Sequence, residues 1–150
     1  MDAALHCREP AGDAPSAVVT ATVLLVRHAV HDRLGRRLRG ASAIYSSPAE
    51  RARQTAAPIA AASGLEALVD PALDEIDFGA WTDARFDDLA DDPSWQGWNN
   101  ARDAHRPPGG EPVQETQHRM AAWLAAVGAC HEDGTMVAVG AASCTVSTRP

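Results

Sequence analysis

Apolar positions along this chain follow two periods, and the two periods predict alternating elements. Val18 to Arg27 becomes near-continuously apolar toward its end, the pattern of a strand buried in a parallel sheet. Ala43 to Tyr45, Leu65 to Val69 and Met136 to Val139 predict three further short strands. Helical signals fall between them. Ser47 suits an N-cap, Pro48 the first helical position, and Glu50 completes a capping box. Gly64 suits the left-handed position that ends that helix. From Pro112 to Cys130 a second helix is expected, with Met120, Trp123, Leu124 and Val127 at i, i+3, i+4, i+7 spacing. Thr82 to Asp91 reads as a short acidic helix that Pro93 interrupts, with helix resuming near Trp95 and Trp98. Leu73 to Trp81 reads as a loop, and Pro107-Pro108-Gly109-Gly110 as a break. Strands alternating with helices predict an α/β fold, a three-layer domain with a parallel sheet covered on both faces.

Met1 to Ser16 mixes Pro, Gly, Asp and Ala without periodicity and predicts a flexible N-terminal arm, leaving residues 17–150 as the folded domain. At 150 residues and 45% hydrophobic content the chain is long enough for one domain with a real core. The net charge of −7 argues against an extended nucleic-acid or anionic-membrane surface, so any anion site is a local basic pocket. The basic run Arg33 to Arg39 is too short to change that. No apolar run is long enough to span a bilayer. Cys7, Cys130 and Cys144 are odd in number and lack CxxC spacing, which predicts reduced thiols and a cytoplasmic protein. Heavy Ala and Arg use without lysine matches a high-GC bacterial source.

Chemistry concentrates in two stretches. Val23-Leu24-Leu25-Val26-Arg27-His28 delivers an Arg-His pair where a strand should end. Ser46-Ser47-Pro48-Ala49-Glu50-Arg51 opens a helix and places an arginine in its first turns. A histidine at a strand's carboxyl end, beside cations and a helix N-terminus, suits an anionic phosphoryl group. A metal cluster at His28, His31 and Asp32 is the competing reading, but its spacing matches no strong metal pattern.

Four motifs in order then resemble the histidine phosphatase superfamily, also called phosphoglycerate mutase-like. They are Arg27-His28-Ala29, Ser46 to Thr55, Leu73-Asp74-Glu75-Ile76-Asp77-Phe78-Gly79-Ala80-Trp81, and Gly109-Gly110-Glu111. The resemblance implies a phosphohistidine mechanism acting on a small phosphomonoester, without cofactor or metal. It makes His28 the nucleophile, Arg27 and Arg51 the clamp on the phosphoryl oxygens, and Glu75 the proton donor to the leaving oxygen. Glu111 matches a pocket-supporting position; a helix N-terminal carboxylate accounts for it equally well. Arg53 is expected on the solvent face.

Two departures from the family pattern qualify that reading. Ala29 to Ser42 must make a whole crossover, where the family usually has a substrate-shaping loop and a helix. After Val139, Gly140-Ala141-Ala142-Ser143 stands where the family has Ser-His-Gly, so Ala141 takes the place of a second catalytic histidine. The expectation is an incomplete fold with impaired activity, or a non-catalytic phosphate binder. Its uncovered faces should expose Val23, Leu25, Val137 and Val139 and promote self-association.

Overall fold

The computed structural model describes residues 21–27, 37–131 and 133–140, and of Arg27 the backbone only. The expected arm over residues 1–16, His28, the start of the crossover including His31, and everything from Ala141 lie outside the described residues. Four strands form one sheet: β1 (Thr22–Arg27), β2 (Ala43–Ser46), β3 (Ala67–Val69) and β4 (Thr135–Gly140). Among the described residues, helices α1 (Glu50–Ser63), α2 (Phe86–Leu89), α3 (Pro93–Asn100) and α4 (Val113–Cys130) accompany them. Short 3-10 turns occupy Pro71–Leu73 and Gly79–Trp81. The chain divides into two compact units. One runs to Asp74 and resumes at Ala121; the other holds Glu75–Met120.

In the first unit every strand pair is parallel and the order is β1-β4-β2-β3. β4 therefore lies in the middle, with Val137 paired to Leu24 on one side and Ile44 on the other. Side chains alternate across a strand, so Ile44, Val137 and Val139 share one face. There they pack with Ala52, Ala56, Ile59 and Ala60 of α1. Tyr45 points to the opposite face and meets Trp123 of α4 edge-on, with ring centroids 5.3 Å apart. Helices thus cover both faces, and the three-layer parallel α/β architecture stands as expected.

The sequence reading misjudged which strands are covered. Val137 and Val139 are fully buried rather than exposed, because β4 is central and α1 packs on it. β1 is the half-exposed strand, with Leu24 37% and Leu25 47% accessible. It lies at the sheet edge, so a continuous apolar run marked an edge strand here. Val23 is half-buried.

Helix α1 also begins later than expected. Its N-terminal boundary is Ala49, with no side-chain cap. Ser47 does not act as an N-cap in a capping box, because its hydroxyl has other partners. It donates to Asp74 Oδ1 at 2.6 Å and accepts from the Ala49 N–H at 3.1 Å. Glu50 instead accepts from the Arg53 and Gln54 side chains. At the other end Gly64 is left-handed, φ 67°, as expected. Pro93 starts α3 rather than interrupting a helix: Asp92 caps it by accepting from the Ser94 N–H at 2.8 Å.

Trp123 and Asp70 tie α4 to the sheet. The indole N–H donates to Asp70 Oδ2 at 2.8 Å, while Asp70 Oδ1 accepts from the Ala72 N–H. Burial raises the Tyr45 phenol above its ordinary value, and the Asp70 charge adds to this. Its hydroxyl lies 2.8 Å from His131 Nε2. Cys130 is disulfide-bonded, which corrects the expectation of three reduced thiols. The described residues contain no helix long and apolar enough to cross a membrane.

The second unit has its own aromatic core of Ile76, Trp81, Leu89 and Trp98, with Phe78 and Trp95 against it. Two glycines there admit close backbone packing. A Cβ on Gly79 would sit 2.3 Å from the Pro108 carbonyl oxygen, and one on Gly110 2.3 Å from that of Asp77. Gly79 also has φ 53°. At Gly40 a Cβ would meet nothing within 4 Å. Gly110→Ala should therefore lose about 1–3 kcal/mol in urea unfolding, while Gly40→Ala should stay within about 0.5 kcal/mol of the parent. Equal effects of the two changes would contradict this packing.

Candidate active site

In a parallel sheet all carboxyl ends share one edge, and the candidate site is built on that edge. β1 ends at Arg27, which is in register with Gly140. One residue earlier on β4, Val139 is in register with Ser46. The Ser47 N–H donates to the Val139 carbonyl at 2.9 Å, and the Asp70 N–H to that of Ser46 at 2.8 Å. The turn Pro71–Leu73 crosses the same edge, since a Cβ on Gly140 would lie 3.4 Å from the Leu73 carbonyl oxygen.

Ser46 and Ser47 are both fully buried, and the chain turns directly from them into α1. The helix start leaves peptide N–H groups without intrahelical partners and carries partial positive charge. Arg51 is the second residue of α1, so its cation adds to that field. Its carbonyl accepts from the Thr55 hydroxyl at 2.8 Å. Arg51 and Arg53 are both exposed, and Arg53 pairs with Glu50 at 2.5 Å. Asp74 closes this unit with its carboxylate on the Ser47 hydroxyl.

Glu75 opens the second unit and is half-buried, followed by buried Ile76. The loop it begins is held from the Gly109-Gly110-Glu111 segment. The Glu111 N–H donates to the Asp77 carbonyl at 2.8 Å, and the Ala80 N–H to that of Pro108 at 2.9 Å. The Glu111 carboxylate accepts from Arg119 through both oxygens, from Nε at 3.2 Å and Nη2 at 2.9 Å. Glu111 thus pairs with Arg119 while standing two residues before the start of α4.

The first unit thus brings the end of β1 at Arg27 and the Arg51 helix start to one sheet edge. Glu75 and Glu111 belong to the second unit. His28, the Arg27 side chain and Ala141 lie outside the described residues, as do His28, His31 and Asp32 of the competing metal cluster. Among the described residues no group of three His, Cys, Asp or Glu side chains could hold a metal ion. Three residues escaped the sequence reading: Asp74 as the partner of Ser47, Arg119 as the partner of Glu111, and Asp70. Only Asp70 carried a local signal, since Asp before Pro-Ala is a turn-forming combination.

Burial acts to raise the Glu111 carboxyl, but the Arg119 hydrogen bonds and charge outweigh it and leave the group below its ordinary value. A depressed folded value contributes stability above the unfolded carboxyl's range, lost as pH falls through the folded value. Arg119→Met should therefore cost about 1–3 kcal/mol at neutral pH, an estimate reduced from fully buried pairs for partial exposure. The gap from the parent should narrow as pH falls from about 6 toward 3 in unfolding titrations. A gap independent of pH would show that the pair's charge does not matter.

Comparison with known proteins agrees with this geometry. A family model described as the histidine phosphatase superfamily, branch 1, matches residues 23–145. A bifunctional protein of Mycobacterium tuberculosis is 38% identical over 82 residues, which cover 54% of this chain and 22% of that protein. The probable phosphoglycerate mutase GpmB of Enterobacter is 37% identical over 90 residues, covering 57% of this chain and 41% of that one. The chain spans less than half the length of these curated relatives. Among solved structures, Bacillus stearothermophilus YhfR superposes with a TM-score of 0.71 at 21% identity, covering 83% of this chain and 75% of that chain. Mycobacterial glucosyl-3-phosphoglycerate phosphatase in complex with VO3 gives 0.66 at 25% identity, covering 75% and 59%. With a family model matching residues 23–145, this chain belongs to the histidine phosphatase superfamily.

Proposed function

We propose that the chain transfers the phosphoryl group of a small phosphomonoester to His28 and then to water, at a rate lowered by Ala141. His28 attacks phosphorus, so a P–N bond forms as the ester P–O bond breaks. Glu75 gives its proton to the leaving oxygen and then, as carboxylate, takes one from the water that cleaves the phosphohistidine. Arg27 and Arg51 hold the three equatorial oxygens, whose charge guanidinium forks match. The observation that carries the reading is the shared edge. The last residue of β1 and the start of α1 are both tied to β4, at Gly140 and Val139. The carboxyl end of β1 therefore reaches the same sheet edge from which the chain enters α1 with its Arg51, an arrangement suited to a phosphoryl group.

Ala141 favours a second reading, a phosphate-binding protein without turnover. A preorganised donor to the developing charge contributes roughly 10²–10³-fold in rate, and alanine supplies none. Purified protein incubated with a labelled aryl phosphate separates the two. An acid-labile, base-stable phosphoenzyme is expected in the parent and not in His28→Ala. Ala141→His should raise turnover by roughly 10²-fold. Phosphate binding without any phosphoenzyme would establish the second reading.

A further inference from the structure

The hydrogen bond between Ser47 and Asp74 lies one residue from the proposed proton donor. Ser47 is held from three directions. Its N–H donates to the Val139 carbonyl at 2.9 Å, its hydroxyl accepts from the Ala49 N–H at 3.1 Å, and that hydroxyl donates to Asp74 at 2.6 Å. The side chain is fully buried, so it has no solvent alternative to these partners. Asp74 is also fixed through its backbone, because its N–H donates to the Pro71 carbonyl at 3.0 Å. Leu73 before it is fully buried. Three residues later, the Asp77 carbonyl accepts from the Glu111 N–H. The residue before Glu75 is thus pinned within the first unit.

We infer that Ser47 and Asp74 are positioning residues for Glu75. This rests on the phosphotransfer reading above. Hydrogen bonds to a carboxylate are short and about twice as strong as neutral ones, so the pair holds the backbone entering Glu75 firmly. A donor displaced by about 1 Å costs on the order of 10²-fold in rate, without any change in its own chemistry. The capping box predicted from sequence would have used the Ser47 hydroxyl to close the helix. The structure turns it toward Asp74 instead, giving this serine a task beyond starting α1.

A proton donor matters only when the leaving group needs a proton, and this provides the test. His28 phosphorylation is followed by rapid quench from two donors, phenyl phosphate and 2,4-dinitrophenyl phosphate. The first releases a phenolate of ordinary basicity; the second releases a far more acidic phenol. Ser47→Ala and Asp74→Ala, each checked for a cooperative melt, should slow labelling from phenyl phosphate by roughly 10- to 100-fold. Labelling from the dinitrophenyl ester should fall by less than about threefold. Asp74→Asn keeps an acceptor oxygen for Ser47 and should recover most of the phenyl phosphate rate. Adding Glu75→Gln to Asp74→Ala should slow labelling no further than Glu75→Gln alone, since a positioning residue acts through its donor. Equal slowing with both esters, additive losses, or a loss in Asp74→Asn as large as in Asp74→Ala would each overturn the positioning role. Leaving-group selectivity in Glu75→Gln alone would overturn it while sparing the phosphotransfer reading. No labelling of the parent from either ester would overturn both.

Discussion

Everything at the candidate site depends on the double ladder of β4. This strand pairs in parallel with β1 along Thr135–Gly140 and with β2 along Met136–Val139. β1 and β2 have no hydrogen bonds to each other in the sheet order, so their relative placement is set only through it. The end of β1 and the start of α1 become neighbours because both are measured against Val139 and Gly140. The pairing also joins residues far apart in sequence, Thr22 with Thr135. Contacts of that separation form late, after most loop-closure entropy has been lost. The burial that offsets this cost is concentrated in the same strand. Val137 and Val139 are fully removed from water, each contributing on the order of 1.5–3 kcal/mol.

The edge then converts backbone pairing into electrostatics. A buried Ser-Ser pair ends β2 and hands the chain to α1 within three residues, so the helix dipole opens at the strand ends rather than above them. An arginine one residue into that helix strengthens the positive field locally, in a molecule whose net charge is −7. Under the proposed phosphotransfer, long-range attraction for phosphate would be weak, and affinity would come from directed donors at short range.

In the second unit the same economy of parts governs the loop that begins at Glu75. Its shape is imposed by backbone-to-backbone packing at Gly79 and Gly110, where side chains are excluded. The Glu111–Arg119 pair then fastens the glycine segment to α4. Two motifs far apart in sequence are thus one structural device, each supplying the glycine that the other's carbonyl requires.

Much of this was legible in the chain before any coordinates. Periodicity located the four described strands and the buried stripe Met120, Trp123 and Val127 of α4, and residue type located the left-handed end of α1 at Gly64. Those features are local: they depend on residues within one or two turns of each other. What the sequence could not decide was partnership. Strand order is one such case. An apolar run looks the same whether it lies at an edge, as Leu24 and Leu25 do, or in the centre, as Val137 and Val139 do. The Ser47 hydroxyl is another. By spacing it belonged to a capping box, yet Asp74, 27 residues away, offered a charged acceptor at 2.6 Å. The Arg119 fork on Glu111 follows the same rule. A side chain's local options are written in its neighbours along the chain. Which option prevails depends on the strongest partner the fold brings within reach, and only the tertiary structure decides that.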